Sequence, residues 1–412
     1  MAKTELDQLQ IDLDQGVQVA YDVIIIGGRC AGASLARLIA ALGIRVLLID
    51  KCQFPSDTIS THCITLPGLH HLARWGLIQK IIATSAPLVQ KFDLEVANKP
   101  WPGFFGYGRG SWTLAPRRTV LDSILIEEAS KAGATVWQET KVTKVQVNSR
   151  RGTQVTGTRK SSGRFEETAA IVIGADGRRS RVAHDVAAST EWSRQSRLGG
   201  WYAYYASLPV DTAIWAFGES ASAGSFPTNN GLACVWSMCD LKAMPRRSSD
   251  HLTNFYSALR ASSERLSEWV ASAQIISQLT FFGAYPGFMR NQFGPGWALI
   301  GDASRFSHPV TAHGISDAFR DAQLVADAIY SNLNGECSWI EAARRYANRQ
   351  DATTKQAFEI TQEIAGLNWA TTNISDLLTA YKASVQTALA LEREWWGNVS
   401  FNNSHIVPVF KP

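Results

Sequence analysis

The sequence predicts a mixed α/β (α+β) fold: a Rossmann-like domain, an antiparallel β-sheet domain and a helical C-terminus. Three observations support this fold class. Residues 21–51, YDVIIIGGRCAGASLARLIAALGIRVLLIDK, have the pattern of a buried strand, a glycine turn, a helix and a second buried strand. Between residues 181 and 294 the sequence holds short aromatic, β-rich runs separated by turn residues. From residue 338 onward the apolar residues follow helical spacing.

The glycine turn of the first segment is a candidate phosphate-binding site. Gly27 permits a tight turn, and Gly32 lets the helix pack close against the strand. The backbone amides of the turn and of the helix N-terminus then face a pyrophosphate. The predicted contact residues are Gly27, Gly28, Arg29, Cys30, Ala31 and Gly32. A βαβ unit that binds no nucleotide is the alternative.

Arg29 stands where the G-x-G-x-x-G pattern has its second glycine. A side chain at that position hinders close approach of the backbone to a phosphate. A guanidinium that swings outward could instead neutralise the phosphate with its permanent charge. We therefore expect Arg29 to project away from the contact between backbone and phosphate.

The end of the second strand indicates which nucleotide is bound. Asp50 lies there, 18 residues after Gly32. A carboxylate at this point accepts hydrogen bonds from a ribose 2′-hydroxyl and repels a 2′-phosphate. Asp50 therefore favours FAD or NAD over NADP, and its neighbour Lys51 is a further predicted cofactor contact.

Two further motifs follow downstream. The run AAIVIGADGRRSRVA (169–183) is typical of a buried strand that ends in Asp176-Gly177 and a basic turn. The run GWALIGDASRFSHPVTAHGISDAFRDAQLVADAI (296–329) predicts a strand, then Gly301-Asp302, then a helix opened by Pro309. The three motifs, in this order, resemble the FAD-dependent monooxygenase superfamily with the para-hydroxybenzoate hydroxylase fold. That superfamily includes geranylgeranyl reductase-like flavoproteins and flavin-dependent halogenases, and the resemblance covers roughly residues 20–345.

The resemblance implies an FAD site in which Arg29 lies along the ribityl or pyrophosphate side of the cofactor. Asp302 would contact the ribityl chain, and the N-terminus of the Pro309 helix would face the flavin ring, where amide donors stabilise an anionic reduced flavin. Two positions there depart from the hydroxylase pattern, since Thr311 replaces a glycine and Ser316 replaces an asparagine. The other contacts that the resemblance implies are Thr61, Arg118, Val142, Asp176, Gly177, Gly301, Gly314 and Ile315.

The predicted domain organisation has four parts. They are an N-terminal arm (1–19), a discontinuous FAD-binding domain with inserted strands (20–185 and 286–345), a substrate-binding β-sheet domain (186–285) and a C-terminal helical region (346–412).

Aromatic and histidine side chains supply the candidate substrate and catalytic residues. The candidate cavity walls are Trp201, Tyr202, Tyr204, Trp215 and Trp236, and their alternative role is core packing. Histidines beside the flavin could donate a hydrogen bond or relay a proton, or could be structural polar groups. They are His313, which ranks first because it lies one residue before Gly314, together with His62 and His308. His70 and His71 have the pattern of helix-surface residues.

The resemblance implies an FAD-dependent oxidoreductase. We expect a monooxygenase that hydroxylates an aromatic or planar apolar small molecule through a flavin C4a-hydroperoxide. NADPH or NADH would dock transiently as electron donor, and molecular oxygen would be the co-substrate. The alternatives are a reductase of an isoprenoid-like alkene of the geranylgeranyl reductase type, then a flavin-dependent halogenase, then a non-catalytic flavoprotein. Halogenation ranks low because the sequence has no WxWxIP-like run.

Composition argues against several other classes. The chain has 412 residues with 40 basic and 36 acidic side chains, and this net charge of +4 is too balanced to indicate nucleic-acid binding. It has no apolar run long enough to predict a membrane span. The six scattered cysteines show no C-x-x-C pair and no zinc-ligand spacing, so we expect no metal and a reduced, cytoplasmic setting. We expect a monomer or a homodimer.

Overall fold

The computed structural model describes residues 19–101, 112–148, 152–243, 250–367 and 373–397, and the backbone of residues 400–401 and 406–407. Its elements confirm the mixed α/β class. The predicted N-terminal arm, residues 1–19, lies outside the described residues except for Val19.

The described residues form 23 strands, numbered in chain order. The first twelve are β1 Tyr21–Ile26, β2 Val46–Ile49, β3 Leu88–Val89, β4 Lys91–Val96, β5 Lys99–Pro100, β6 Thr113–Leu114, β7 Thr135–Trp137, β8 Thr140–Asn148, β9 Gly152–Arg159, β10 Gly163–Gly174, β11 Thr190–Arg194 and β12 Leu198–Ala206. The others are β13 Thr212–Phe217, β14 Ala221–Pro227, β15 Ala233–Asp240, β16 Gln274–Ile275, β17 Thr280–Phe282, β18 Gly287–Arg290, β19 Phe293–Gly294, β20 Trp297–Leu299, β21 Arg305–Phe306, β22 Ser400–Phe401 and β23 Ile406–Val407.

The α-helices of the described residues vary from one turn to more than seven. They are α1 Cys30–Ala40, α2 Leu66–Arg74, α3 Ile78–Ile82, α4 Arg118–Lys131, α5 Arg181–Asp185, α6 His251–Ser262, α7 Glu264–Ala271, α8 Gly314–Leu333, α9 Trp339–Ala365 and α10 Ile374–Trp396.

The first sheet is built around the predicted βαβ unit. Its strand order is β19-β20-β10-β1-β2-β7, and the β20-β10-β1-β2-β7 portion is parallel. Strands β8 and β9 extend it as an antiparallel arm on β10. Because the carboxyl ends of parallel strands lie at one edge of a sheet, the turns after β1, β10 and β20 meet there, and ligands bind at this edge in open α/β sheets.

Burial on both faces explains the continuous apolar runs of β1 and β2. Alternate residues of β1 point to opposite faces: Val23 and Ile25 pack with α1, α4 and α8, whereas Ile24 and Ile26 pack with the β8–β9 arm and α5. Each such fully buried side chain contributes about 1.5–3 kcal/mol to folding. A period-2 polar pattern could not occupy this position.

The second sheet has the order β16-β12-β15-β14-β13-β4-β5, with β17 also paired to β12. Its pairs are antiparallel except for β4 with β13. Strands β4 and β5 come from within residues 20–185, so this sheet draws a strand pair from the range predicted for the FAD-binding domain. Helices α6 and α7 cover one face, and residues of α9 and α10 lie against the other.

The C-terminal helices change the environment of α2. The prediction that His70 and His71 lie on a helix surface is wrong: both are buried, at 2% and 0% exposure. Helix α10 is the reason, since its Glu392 carboxylate lies 3.7 Å from His71 Nε2. Separately, no helix in the described part of the chain is both long and apolar enough to span a membrane.

Candidate functional site

The glycine turn joins β1 to α1 and packs against the end of β10. Gly27 has a φ of +107°, and a Cβ there would lie 2.3 Å from the Ala175 carbonyl oxygen. A Cβ on Gly32 would lie 1.9 Å from the Gly27 carbonyl oxygen. Helix α1 begins at Cys30 without a side-chain cap and without an acidic residue in its first turn. Its amides and dipole are therefore available to an anion.

Asp50 is fixed beside this turn. Its Oδ2 accepts a hydrogen bond from the Gly28 amide at 2.6 Å, and its Oδ1 accepts one from the Cys52 amide at 2.7 Å. These bonds hold the carboxylate at the end of β2, where remaining lone pairs can accept from ribose hydroxyls. Lys51 is exposed next to it.

Arg29 turns away from the glycine backbone and reaches α4 and the loop after β2. Its guanidinium donates to Ser56 Oγ at 3.0 Å, to the Asp57 carbonyl at 3.1 Å and to Asp122 Oδ2 at 2.6 Å. Asp122 has no exposed side-chain surface and also accepts from Arg118, whose Nη2 lies 2.9 Å from Oδ1. Sequence reasoning missed Asp122. The spacing of Arg118 and Asp122, four apart on one helix, was its signal.

The Asp176-Gly177 turn follows β10 and lies against Gly27, where a Cβ would come within 2.8 Å of the Asp176 amide nitrogen, whereas Val142 lies on β8. Asp176 accepts from the Arg181 amide at 2.6 Å and from Ser180 Oγ, so its carboxylate stabilises the start of α5. Gly177 has a φ of +80° and open space around it. Val142 is half-buried on β8, opposite Gly157.

The turn after β20 carries Asp302 and is held by Asp321. The Gly301 amide donates to Asp321 Oδ2 at 2.8 Å, a contact that sequence reasoning also missed. Asp302 is exposed, but desolvation by the surrounding protein raises its pKa to about 6, against the opposing effect of Arg118 and Arg178. Asp302 lines a pocket with Thr311, His313, Gly314 and Tyr381, and this pocket is called the cleft below.

The prediction that Pro309 opens the long helix needs correction. Pro309 starts a single 3₁₀ turn, Pro309–Thr311, and α8 begins only at Gly314 because Ala312 adopts a left-handed φ of +53°. Gly314 is exposed, with no atom within 4 Å of a Cβ built on it, whereas Ile315 is buried. The N-terminus of α8 thus faces open space.

The two departures from the hydroxylase pattern have packing reasons. The Thr311 hydroxyl lies 3.0 Å from the Thr361 hydroxyl of α9, and so ties the 3₁₀ turn to that helix. The Ser316 hydroxyl lies 2.8 Å from that of Thr65, at the start of α2. A Cβ on Gly68 would come within 2.6 Å of Ser316 Oγ, so an asparagine at position 316 would have no space.

The three candidate histidines have different surroundings. His308 is structural, because Nδ1 accepts from the Val310 amide at 3.2 Å and Nε2 lies 3.1 Å from the Leu198 carbonyl. His313 precedes α8, with its ring edge-on to Tyr381 and Nδ1 3.7 Å from Asp317 Oδ1.

His62 lies in the loop before α2, next to the half-buried Thr61. It is fully buried, and its Nε2 lies 2.6 Å from the Tyr204 hydroxyl. Its φ of +67° is in the left-handed region, which costs a non-glycine residue about 1–3 kcal/mol. The surrounding structure therefore forces this conformation.

The aromatic candidates divide between the two faces of the second sheet. Because side chains alternate along β12, Tyr202 and Tyr204 point towards His62, and Trp201 points towards α6. The Trp201 indole donates a hydrogen bond to His251 Nδ1 of α6 at 2.9 Å. The prediction that Trp201 shares a cavity wall with the others is therefore corrected. Trp215 and Trp236 lie on the His62 face, but they pack edge-to-face on each other at 5.8 Å and are core residues.

The residues of the turn and the cleft fit FAD. A dinucleotide with a flavin ring requires a glycine turn too tight for a Cβ, uncapped helix amides and a fixed carboxylate, and all three are present. It also requires open space for the ring, which the start of α8 provides. The residues that would hold it come from the turns after β1, β2, β10 and β20.

Comparisons with known proteins agree with this geometry. The chain belongs to the "FAD binding domain" family, whose model matches residues 20–361. It is 26% identical to digeranylgeranylglycerophospholipid reductase of Methanosarcina acetivorans over 81% of each chain. It is 25% identical to menaquinone reductase of Mycolicibacterium smegmatis over 75% of this chain and 76% of that protein.

A solved structure shares the fold. pqsL of Pseudomonas aeruginosa, a probable FAD-dependent monooxygenase, superposes with a TM-score of 0.72 at 18% identity, over 89% of this chain and all of that one. The chain is therefore an enzyme of the FAD-dependent oxidoreductase superfamily.

Proposed function

We propose that the chain is an FAD-dependent monooxygenase that hydroxylates a planar aromatic small molecule, with NADPH or NADH as electron donor. The observation that carries this proposal is the buried pair of His62 and Tyr204. The pair lies next to the start of α4, because Arg117, which precedes that helix, packs over the Tyr204 ring with its Cζ 4.4 Å from the ring centroid. The same helix carries Asp122, which binds Arg29 of the glycine turn. Hydroxylation of a phenol-like ring needs a group that handles a substrate proton away from bulk water.

The electrostatics of the pair suit a relay. Burial, with Arg118 and Arg117 nearby, lowers the pKa of His62 to about 3. Burial raises the pKa of Tyr204 well above its ordinary value. Both groups are therefore neutral at pH 7. The pair can relay a proton if the Tyr204 hydroxyl takes one up as His62 Nδ1 releases one, or the reverse, because transfer within the pair alone would create a buried ion pair.

FAD, when bound, supplies hydride acceptance and activation of oxygen. The turn residues Gly27 to Gly32 and the first amides of α1 would hold its diphosphate, and Asp50 would hold the ribose. The first amides of α8, at Gly314 and Ile315, would stabilise negative charge on the ring. The further proposed contacts are Lys51, Thr61, Arg118, Val142, Asp176, Gly177, Gly301, Asp302 and Pro309.

The aromatic face above His62 supports a compact substrate. Trp215, Phe226 and Trp236 close on one another with ring centroids 5.8–6.3 Å apart. This part of the sheet is a filled core, which leaves Tyr202 and Tyr204 as the proposed substrate contacts. A short planar molecule suits this arrangement better than a long isoprenoid chain.

A reductase of an isoprenoid-like alkene is the second candidate. The observation that favours it is that two relatives at 25–26% identity are named as reductases. The same His62–Tyr204 pair could then deliver a proton to carbon. Halogenation has no comparable support from the residues.

We extend the proposal to domain roles and setting. Residues 20–185 and 286–345 would bind FAD and residues 186–285 would bind substrate, with the 346–412 region supporting the start of α8. The enzyme would act in the cytoplasm, as a monomer or homodimer.

The deciding experiment compares aerobic with anaerobic turnover of FAD-loaded protein. Monooxygenation requires substrate-dependent NAD(P)H oxidation, equimolar oxygen uptake and incorporation of one atom from labelled oxygen into product. Anaerobic saturation of a double bond would replace it with the reductase. Protein that fails to bind added FAD would refute both.

A further inference from the structure

A buried ion pair joins α8 to the C-terminal helix α10. Arg320 of α8 donates a hydrogen bond from Nε to the carboxylate of Glu392 on α10, 72 positions away. The exposed fraction of the side chain is 1% for Arg320 and 0% for Glu392. Withdrawing two such charges from water costs about as much as their attraction returns, and apolar residues of similar size are often equally stable in their place. The stability of the fold alone therefore does not account for this pair.

Arg320 has a second partner at the start of α8. Its Nη1 donates to Asp317 Oδ1 at 2.5 Å, three positions earlier on the same helix. Because Glu392 accepts from Nε and Asp317 accepts from Nη1, the guanidinium is fixed between two carboxylates. Glu392 thus determines where the positive charge beside Asp317 lies.

Asp317 is the member of this group that lies on the wall of the cleft, together with His313 and Gly314. Desolvation raises the pKa of Asp317, but His313 and Arg320 outweigh it and hold the pKa below 3.8, so the carboxylate is ionised at pH 7. A negative charge in the first turn of a helix offsets the positive end of the helix dipole. Without Arg320, Asp317 would therefore oppose negative charge on a ring held at the start of α8.

We propose that Arg320 and Glu392 are positioning residues for the flavin-facing start of α8: Glu392 orients Arg320, and Arg320 compensates the charge of Asp317. This inference rests on the FAD contacts proposed for Gly314 and Ile315, and it applies equally to a monooxygenase and to a reductase. Neither Arg320 nor Glu392 is among the described residues that line the cleft, so they act through Asp317. The C-terminal helix would in this way affect how readily the flavin is reduced.

The test measures the midpoint potential of the bound flavin in FAD-loaded protein, by anaerobic equilibration with a reference dye at pH 7. The double variant Arg320→Leu with Glu392→Leu removes one positive and one negative charge and leaves Asp317 uncompensated. We expect the ratio of the affinities for reduced and oxidised FAD to fall about ten-fold, which is a fall of about 30 mV for a two-electron couple. Adding Asp317→Asn to the double variant restores the wild-type potential, a reversal that a merely structural role of the pair would not produce.

Asp327→Asn is the matched control. Asp327 also joins α8 to α10, since its Oδ2 accepts from the Trp396 indole at 3.0 Å. It lies ten positions after Asp317, about 15 Å along the helix axis. We expect Asp327→Asn to lower the melting temperature and to leave the potential unchanged. Arg320→Gln with Glu392→Gln makes the same change of charge and replaces the leucine pair if that variant does not fold.

The outcomes of this experiment and of the turnover experiment are distinguishable. If the double variants keep the wild-type potential, or if Asp317→Asn does not reverse the shift, the pair serves folding alone and the positioning role is refuted, while FAD binding and turnover stand. If the shift and its reversal are observed but no oxygen enters any product, the positioning role stands and the monooxygenase does not.

Discussion

Arg29 and Asp122 form an ion pair of 2.6 Å that joins the glycine turn to helix α4 across 93 positions of sequence. Asp122 serves Arg118 as well, so two cations share one buried anion. These three side chains together carry a net charge of +1 (two minus one), and the Asp50 carboxylate also lies beside the turn. The uncapped amides of α1 are the groups that favour an anionic diphosphate there.

Replacement of Arg29 by alanine should weaken both folding and FAD binding. The change removes charge-assisted hydrogen bonds to α4 and to Ser56 and Asp57. Because the side chain is 25% exposed, we expect a loss of about 1–2 kcal/mol in the free energy of unfolding. Urea denaturation of apoprotein measures this loss, and quenching of FAD fluorescence measures affinity.

Arg45 is the control for Arg29. It pairs with Asp22 at 2.7 Å, but its side chain is 56% exposed. Arg45→Ala should cost less than about 1 kcal/mol and leave FAD affinity unchanged. If Arg29→Ala and Arg45→Ala lower the free energy of unfolding equally and both leave FAD affinity unchanged, Arg29 is merely a tolerated substitution for glycine.

Glycines 32 and 314 should respond to alanine in opposite ways. A Cβ on Gly32 meets backbone at 1.9 Å, so Gly32→Ala should lower the stability of apoprotein by roughly 3 kcal/mol or more. A Cβ on Gly314 meets no atom, so Gly314→Ala should leave apoprotein stability unchanged or raise it by up to about 1 kcal/mol. If the start of α8 faces flavin, Gly314→Ala nevertheless weakens FAD binding. Thermal melts of apoprotein and FAD titrations check both, and unchanged FAD affinity in Gly314→Ala would remove α8 from the site.

The sequence predicts the βαβ unit and the order of the three motifs because these depend on local patterns. Strand burial, glycine spacing and carboxylates at strand ends are all readable within 30 residues or so. Contacts such as Arg29 with Asp122, Gly301 with Asp321, and His62 with Tyr204 join positions between 20 and 142 residues apart. They depend on how elements pack, which a single sequence does not specify.

The misassignments have the same origin. The period-2 alternation that separates Trp201 from Tyr202 was present in the sequence, but the burial of both faces concealed which aromatic faced His62. The burial of His71 depends on α10, more than 300 positions downstream.

Asp321→Asn should change the pH dependence of stability. Burial raises the pKa of Asp321 to about 6 from the unfolded value of 3.8, against hydrogen bonds that lower it. The native state thus binds this proton more tightly than the unfolded state does. The stability that Asp321 contributes is present below pH 3.8 and is lost as the pH rises to about 6.

The Asp321→Asn variant does not lose stability in this way as the pH rises, because its side-chain amide does not titrate. It can still accept from the Gly301 amide, and its amide can donate to Gln350 Oε1, which lacks a partner among the described residues, after rotation of the Gln350 amide. We expect the variant to exceed wild type by about 2 kcal/mol at pH 8, and by progressively less towards pH 4. Asp302, with a pKa of about 6, retains its own slope in both proteins. Denaturation at pH 4, 6 and 8 measures the difference, and a constant difference would contradict the assignment.

Tyr204→Phe should impair catalysis more than folding or cofactor binding. The variant keeps the stack between this ring and His62, whose centroids lie 5.6 Å apart, but removes the hydroxyl 2.6 Å from His62 Nε2. Loss of a proton relay lowers kcat by about 100-fold or more, with FAD affinity unchanged. Rapid-mixing measurements locate the defect after flavin reduction.

The neighbouring Tyr205 provides the control, because alternation places it on the opposite face of β12, where its hydroxyl lies 3.1 Å from that of Tyr256. Tyr205→Phe removes a tyrosine hydroxyl from the same strand, in a bond that is partly open to solvent. Its kcat should therefore match that of wild type, and its free energy of unfolding should fall by about 1 kcal/mol at most. If both variants lose activity equally, the strand and not the His62–Tyr204 pair is responsible. If neither loses activity, the pair has no part in the chemistry.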